Sequence, residues 1–199
     1  MKYRFFRISL LAALTLLIIA AIVPFSENTD AVAFTLPVLP RPIAKTPVAI
    51  ISAGQNTDTY IIRDIANQLM IRSFFMPQAR DIDIEDMNSL VFVVGYSSLG
   101  EKLQDISHEE EKDRIEKLLK KAEEKKLVVL TVALGGEYNH DEKTKELLKL
   151  IGEHTDYFIG IKGSINEGTL VKMAKEREIP LTLAGDVKEI SGPFASAFR

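Results

Sequence analysis

Short polar segments that contain glycine follow four apolar runs of this chain, and they hold its best candidates for binding chemistry. The segments span residues 52–58, 95–100, 135–140 and 163–168. Glycine lets a ligand approach the backbone closely, and amides at the start of a following helix favour an anion or a polar oxygen. From the first three segments we predict a ligand-binding set of Ser52, Gly54, Gln55, Asn56, Asp58, Gly95, Ser97, Ser98, Gly135, Gly136, Asn139 and His140.

The same residue types also have a purely structural use. Tight turns between a strand and a helix need Gly, Ser and Asn, both for unusual backbone angles and for helix caps. The pattern favours the binding interpretation and leaves the structural one open.

Motifs that would identify a cofactor are missing from these segments. Only Gly54 follows the first apolar run, whereas a dinucleotide fingerprint needs three spaced glycines. Gly95 and Gly100 have the spacing of a phosphate-binding loop, but Glu101 and Lys102 follow where Lys and Ser or Thr should stand. We therefore predict no cofactor.

Catalytic and metal-binding arrangements have weak support. A Ser97–His140–Asp141 relay can be drawn, but adjacent His and Asp rarely orient each other, and no oxyanion hole is evident. Glu137, His140 and Asp141 lack the spacing of metal ligands. His108, among acidic neighbours in the first turn of a predicted helix, is predicted to lie at the surface. Binding is favoured over catalysis, and an enzyme that uses the same loops is the alternative.

Alternating apolar runs and helical patterns must position these segments. The patterns predict strands at 48–51, 73–76, 90–94, 127–133, 157–161 and 181–183, helices at 57–72, 107–126, 141–151 and 166–178, and a helical turn at 83–88. This order predicts a three-layer α/β/α sandwich with a doubly wound, mainly parallel sheet of five or six strands. A flavodoxin-like strand order, 2-1-3-4-5, is favoured over the Rossmann-like order. In such sheets ligands bind beyond the carboxyl ends of the strands.

The first 33 residues have the pattern of an export signal. Lys2, Arg4 and Arg7 precede an apolar stretch at 8–23, and Ala-Val-Ala at 31–33 suits a signal peptidase. A cleaved signal peptide is favoured over an uncleaved N-terminal membrane anchor, because the apolar stretch is short for a bilayer. Both alternatives place the rest of the chain outside the cytoplasm, as a secreted or cell-envelope protein.

Composition divides the rest of the chain and excludes several classes of protein. The 199 residues include no Cys and carry a formal net charge of -3, which excludes a disulfide scaffold and is unlike a nucleic-acid-binding protein. Four prolines mark residues 34–47 as a linker that is either a spacer or an ordered strap over the domain. The α/β domain is predicted at 48–190 and a flexible tail at 191–199.

Several of these motifs resemble an uncharacterised bacterial exported α/β family, catalogued as domain of unknown function 6305. The matching positions are Ser52, Gly54, Gln55, Asp58, Gly95, Ser97, Ser98, Gly100, Gly135 and Gly136. Tyr96 and Leu99 replace a Gly and a Lys of the family pattern, and residues 138–140 stand where the family has a basic pair. The resemblance implies a shared rim site without an assigned activity, and the missing cations weaken the case for an anion.

We therefore expect an exported module that binds a small polar molecule at the carboxyl ends of its strands. An accessory subunit that attaches to a membrane protein partner is an alternative, and so is an enzyme. The oligomeric state is left open by the sequence.

Overall fold

The computed structural model describes residues 35–136 and 142–199. The predicted leader at 1–33 and the candidate residues Asn139 and His140 lie outside these ranges, as do Glu137 and Asp141. The predictions on them stay predictions.

A parallel sheet of six strands forms the middle layer. The strands are β1 (Val48–Ala53), β2 (Ser73–Phe75), β3 (Ser89–Val94), β4 (Val128–Ala133), β5 (Tyr157–Ile161) and β6 (Leu181–Ala184). Their order across the sheet is β2-β1-β3-β4-β5-β6, and every pair is parallel. The flavodoxin-like prediction is confirmed, with β6 added at one edge. Every residue of β1 and β3 is buried, as the unbroken apolar runs predict for strands covered on both faces.

Helices cover both faces of this sheet. They are α1 (Asp58–Gln68), α2 (Ser98–Gln104), α3 (His108–Lys125), α4 (Glu142–Gly152), α5 (Glu167–Arg177) and α6 (Ser191–Ser196), with 3₁₀ turns at Asp81–Ile84 and Val187–Ile190. One apolar core joins the sheet to α3, α4 and α5 and includes Phe92, Ile115 and Leu148. A second core joins the other face to α1 and α6 and includes Ile62 and Phe194. The two cores confirm the three-layer prediction.

The crossovers leave α1 on one face and α3 on the other. Since α1 follows β1 and α3 follows β3, the chain changes faces between these two neighbouring strands. This is the switch point at which doubly wound sheets open a crevice at their carboxyl edge.

The proline-rich segment packs on the domain as an ordered strap, one of the two alternatives that its sequence left open. The Leu36 N–H donates to the Leu181 carbonyl, and Leu39 and Ala44 are buried. Ala44 N–H donates to the Ala197 carbonyl at 2.8 Å.

The flexible tail predicted at 191–199 is wrong for its larger part. Residues 191–196 form α6, in which Phe194 is fully buried. Pro193 lies in the first turn of α6. A backbone N–H in that turn has no partner within the helix, so proline, which lacks this N–H, loses no helical hydrogen bond there. Ile190, Phe194 and Ala197 lie four and three residues apart, so one apolar face meets the sheet.

Within residues 35–136 and 142–199, no helix has the length and apolar character needed to cross a membrane.

Candidate functional site

The loop after β1 uses most of its polar groups to hold its own shape. Ser52 Oγ accepts a hydrogen bond from the Asn56 N–H at 3.0 Å. Asn56 Nδ2 donates to the Val93 carbonyl at 2.9 Å and thereby ties the end of β1 to β3. For Ser52 and Asn56 the structure therefore supports the turn-building role, and nothing in it tests a ligand role.

Gly54 meets a steric and a conformational requirement in this loop. Its φ is +96°, and a Cβ atom there would lie 2.5 Å from the carbonyl oxygen of Gly95. The Gly54 carbonyl in turn accepts from the Ser97 N–H at 2.8 Å. The loops after β1 and β3 are therefore packed backbone against backbone, with a Gly on each side of the contact.

A buried carboxylate occupies the inner side of the first loop. Glu111 of α3 is fully buried and accepts from the Gly54 N–H at 2.8 Å and from Gln55 Nε2 at 2.9 Å. Doubly wound proteins commonly place an anion of the ligand against such first-loop amides. Here a side chain of the protein itself takes that position.

Arg114 completes this inner assembly. Its guanidinium lies 2.8 Å from the Glu111 carboxylate and donates to the carbonyls of Ser52 at 2.7 Å and Ala79 at 2.8 Å. The pair connects α3 to the ends of β1 and β2. The Gly54 amide and the Gln55 side-chain amide both donate to Glu111, so the chain itself supplies the acceptor for these two groups at the switch point.

The other predicted residues of the first two loops differ in burial and in role. Ser97 caps α2, because its Oγ accepts from the Gly100 N–H at 3.0 Å, whereas Ser98 is exposed. Gly95 is buried. Asp58 is half-buried in the first turn of α1, and burial raises the pKa of its carboxyl group.

Gly135 and Gly136 lie beyond β4 and are not equivalent. Gly135 has a φ of +68° and packs against Ser164, so that a Cβ atom would lie 2.5 Å from the Ser164 Cβ. Gly136 is exposed, with open space around it. Among the described residues, Ser164 Oγ and Asn166 Nδ2 are buried without a hydrogen-bond partner.

A second polar group at the same edge of the sheet was not predicted. We call it the Tyr96 cluster, and its members are Tyr96, Glu101, His108, Lys143 and Glu146. The Tyr96 hydroxyl donates to Glu101 Oε2 at 3.0 Å and accepts from Lys143 Nζ at 2.8 Å. Lys143 Nζ also lies 4.3 Å from the centre of the Tyr96 ring.

His108 contacts three other members of this cluster. Its Nε2 lies 3.0 Å from Glu146 Oε2, and its Nδ1 lies 3.5 Å from Glu101 Oε1. The ring meets Tyr96 edge to face, with 5.9 Å between the ring centres. His108 is 9% exposed, so the prediction that it lies at the surface is wrong.

The periodicity of α3 contained the signal for both buried polar residues. Ile115, Leu118, Leu119 and Ala122 form the apolar stripe that the sequence predicts. Glu111 lies four residues before Ile115 and His108 lies seven before it, so both fall on that stripe. Their charge and their position near the start of the helix hid this in the sequence.

The contacts in the Tyr96 cluster shift the pKa values of its outer members. The hydrogen bond to Tyr96 and the nearby Glu101 charge raise the pKa of Lys143. The hydrogen bond from His108 lowers the pKa of Glu146. Both shifts stabilise the charged forms of groups that flank Glu101.

A cavity of about 440 Å³ opens beside the Tyr96 cluster, beyond the end of β3. Its walls come from α2, from the first turn of α3 and from Tyr96. The lining residues are Tyr96, Ser98, Glu101, Lys102, Asp105, Ile106, Ser107 and Glu110. We call it the rim cavity. Of the predicted ligand-binding residues within the described ranges, only Ser98 lines it.

Two other cavities differ from the rim cavity in charge or in place. One of about 310 Å³ shares Glu110 and carries three acids and three bases, so its formal charges balance. Another of about 510 Å³ runs between α4 and α5, along the helices. Within the part of the chain that the structure describes, no three His, Asp or Glu side chains are arranged to hold a metal ion.

Sheet order, layers and rim cavity together define an α/β sandwich of the flavodoxin-like type. The chain belongs to the family described as Domain of unknown function (DUF6305), whose model matches residues 45–198. The match confirms the family that the sequence motifs indicated, though not its bacterial origin or its export, and it includes α6 at the end of the chain. No curated protein and no solved structure matches the chain significantly.

Proposed function

We propose that this domain binds a small polar ligand in the rim cavity. The observation that carries the proposal is a buried carboxylate, Glu101, in the wall of a cavity beyond the carboxyl end of β3. Doubly wound sheets bind ligands at this edge. A volume of about 440 Å³ falls within the range of small-molecule sites.

The glycine-containing loops then have a supporting role in binding. Gly54, Gly95 and Ser97 hold α2 against the loop after β1, and α2 in turn presents Ser98 and Glu101 to the cavity. The ligand contacts assigned by the proposal are Tyr96, Ser98, Glu101, Lys102 and Asp105.

We also propose that the domain works outside the cytoplasm. The basic start, apolar stretch and small residues of positions 1–33 support this. In cell fractions, the domain should be found outside the cytoplasm, either released or attached to the outer side of the cytoplasmic membrane. In intact-protein mass spectrometry, the mass of a chain that begins near residue 34 would indicate cleavage of the leader. The mass of the full-length chain would indicate an anchor.

An accessory subunit of a membrane complex is the second candidate function. One observation favours it: α2 buries Glu101 and exposes Leu99 at 64% and Leu103 at 73%. Two exposed leucines one turn apart suit a protein contact. A photo-crosslinking residue at position 103 should capture a membrane protein in intact cells if this function is the right one.

Ligand binding is tested by thermal unfolding of the full chain with a panel of amines, sugars, carboxylates and phosphates. A ligand at one hundred times its Kd should stabilise the native state by about 3 kcal/mol and raise Tm. Ser98→Trp should fill the cavity mouth and remove the shift. Gln104→Trp is the matched control, because Gln104 is exposed on the same helix and does not line the cavity. A panel without a stabilising compound, or a shift that survives Ser98→Trp, would contradict the proposal.

A further inference from the structure

We infer that the ligand of the rim cavity is a small organic cation that carries a primary ammonium group. This inference rests on the proposed function, because it names the chemical class that the same cavity selects. Three observations carry it. They are the charge of the cavity walls, the burial of Glu101 with one carboxylate oxygen that accepts no hydrogen bond, and an ammonium group of the protein that already lies against the same side chains.

The walls of the rim cavity are negative. Among the described residues that line it, Glu101, Asp105 and Glu110 carry carboxylates and Lys102 carries an ammonium group, which gives a formal charge of -2. Lys143 and Glu146 of the Tyr96 cluster cancel each other. This excess of carboxylates attracts cations and repels anions.

Glu101 is a buried carboxylate with one oxygen that accepts no hydrogen bond from the described residues. Its side chain is 10% exposed, and the Oε1 atom in question lies 3.5 Å from His108 Nδ1. Oε2 receives the Tyr96 hydroxyl at 3.0 Å, which fixes the orientation of the carboxylate. A buried acceptor without a donor costs free energy, and an N–H donor from a ligand would recover it.

Lys143 shows which chemical group these side chains accommodate. Its ammonium nitrogen lies 2.8 Å from the Tyr96 hydroxyl oxygen, 3.5 Å from Glu101 Oε2 and 4.3 Å from the centre of the Tyr96 ring. An aromatic face beside a carboxylate is a typical environment for an ammonium ion. Tyr96 and Glu101 also line the rim cavity, together with Asp105 and Glu110, so an ammonium group of a ligand there would meet the same types of side chain.

The neighbouring cavity gives an internal comparison. It is lined by Asp81, Glu110 and Asp113 and by Arg80, Arg114 and Lys117, so its charges balance. Its Arg114 is already paired with Glu111. The rim cavity therefore has an excess of carboxylates that this neighbouring cavity lacks.

The test uses three probes of equal carbon length on the full chain: 1,4-diaminobutane, 1,4-butanediol and succinate. We expect the diamine to raise Tm and to bind measurably by calorimetry, and the diol and the dicarboxylate to do neither. Binding should weaken as salt rises, because exposed Asp105 and Glu110 are screened.

Variants assign the binding to the cavity. Glu101→Gln should weaken diamine binding at least tenfold, and Asp105→Asn should weaken it severalfold. Asn tolerates the left-handed backbone of position 105, so Asp105→Asn keeps the test usable if Glu101→Gln does not fold. Glu109→Gln is the matched control, since Glu109 is a 78% exposed carboxylate next to the cavity residue Glu110 and does not line the cavity.

The outcomes separate this inference from the proposed function. If the diol, succinate or a sugar binds and Ser98→Trp blocks it, the cavity is a ligand site and the ammonium inference is wrong. Equal losses in Glu109→Gln and Glu101→Gln would indicate attraction to the acidic surface in general, which also overturns the inference. If no compound of any class binds, both proposals fail.

Discussion

At Gly54 the backbone turns through a left-handed conformation directly against the carbonyl of Gly95. Neither requirement is visible in the residue type alone, because glycine also occurs in loops that need no special geometry. The structure shows that position 54 requires a glycine and that position 136 does not.

Replacing Gly54 by Ala should therefore destabilise the domain. The new Cβ would lie 2.5 Å from the Gly95 carbonyl oxygen, at a φ that L residues rarely adopt. We expect the free energy of unfolding to fall by at least about 2 kcal/mol in urea titrations. Gly136→Ala should change it by less than about 0.5 kcal/mol, since no atom lies within 4 Å of its Cβ position. Equal effects of the two substitutions would contradict this account.

Individual residues were the hardest part of the site to predict. The sequence drew attention to Ser52, Gln55 and Asn56 because their types suit a ligand, but their polar atoms are satisfied within the chain. Tyr96 was visible as a departure from the family pattern. Its partners come from helices that follow later in the chain, and such contacts depend on tertiary packing.

Among the elements, helix α3 has the largest effect on the site. Its first turns place His108 under the Tyr96 cluster and Glu111 under the loop after β1, and its later turns form an ordinary apolar stripe. Ser107 and Glu110 form a capping box at the start of this helix.

Breaking the Glu111–Arg114 pair should show how much of the rim depends on this helix. Glu111→Gln leaves the largely buried Arg114 guanidinium without its counter-charge. We therefore expect the free energy of unfolding, measured in urea titrations, to fall by about 3–5 kcal/mol. Glu109→Gln, on the exposed side of the same turn, should change stability by less than about 0.5 kcal/mol. Replacing both partners, as in Glu111→Gln with Arg114→Met, should recover part of the loss. A loss below 1 kcal/mol for the single variant would mean that the pair does not hold the loop.

The strands and the long helices could be predicted from the sequence, and the short helices α2 and α6 could not. The apolar runs and the helical periodicities are repeated over many residues, so they gave the strand order and all four of the longer helices. Helix α2 was missed because it has only seven residues and buries Glu101 while it exposes Leu99 and Leu103. Its amphipathic pattern is thus the reverse of the usual one.

For the whole molecule, the strap and the C-terminal helix close one side of the sandwich together. Ile43 and Ala44 donate to the Ala197 carbonyl, and Leu39 N–H donates to Ser196 Oγ at 3.0 Å. The core on this side therefore depends on both ends of the described region, although the sequence placed both ends outside the predicted domain at 48–190.

Phe194→Ala should measure that dependence. The side chain is fully buried in the core shared with β1, β3 and α1, so its removal should lower the free energy of unfolding by about 3–5 kcal/mol. Phe74→Ala is the control, because Phe74 is 40% exposed on the edge strand β2 and should lose no more than about 1 kcal/mol. Chemical denaturation followed by circular dichroism suffices. A Phe194→Ala protein as stable as Phe74→Ala would mean that the C-terminal helix is dispensable.

The carboxylate of Glu111 has a consequence for the evolution of this family. Replacing Glu111 alone would leave the Arg114 guanidinium without its counter-charge. The two positions should therefore covary, and most members of the family should have both residues or neither residue. A member that lacks both would leave the Gly54 N–H and the Gln55 side chain without the carboxylate that accepts from them here.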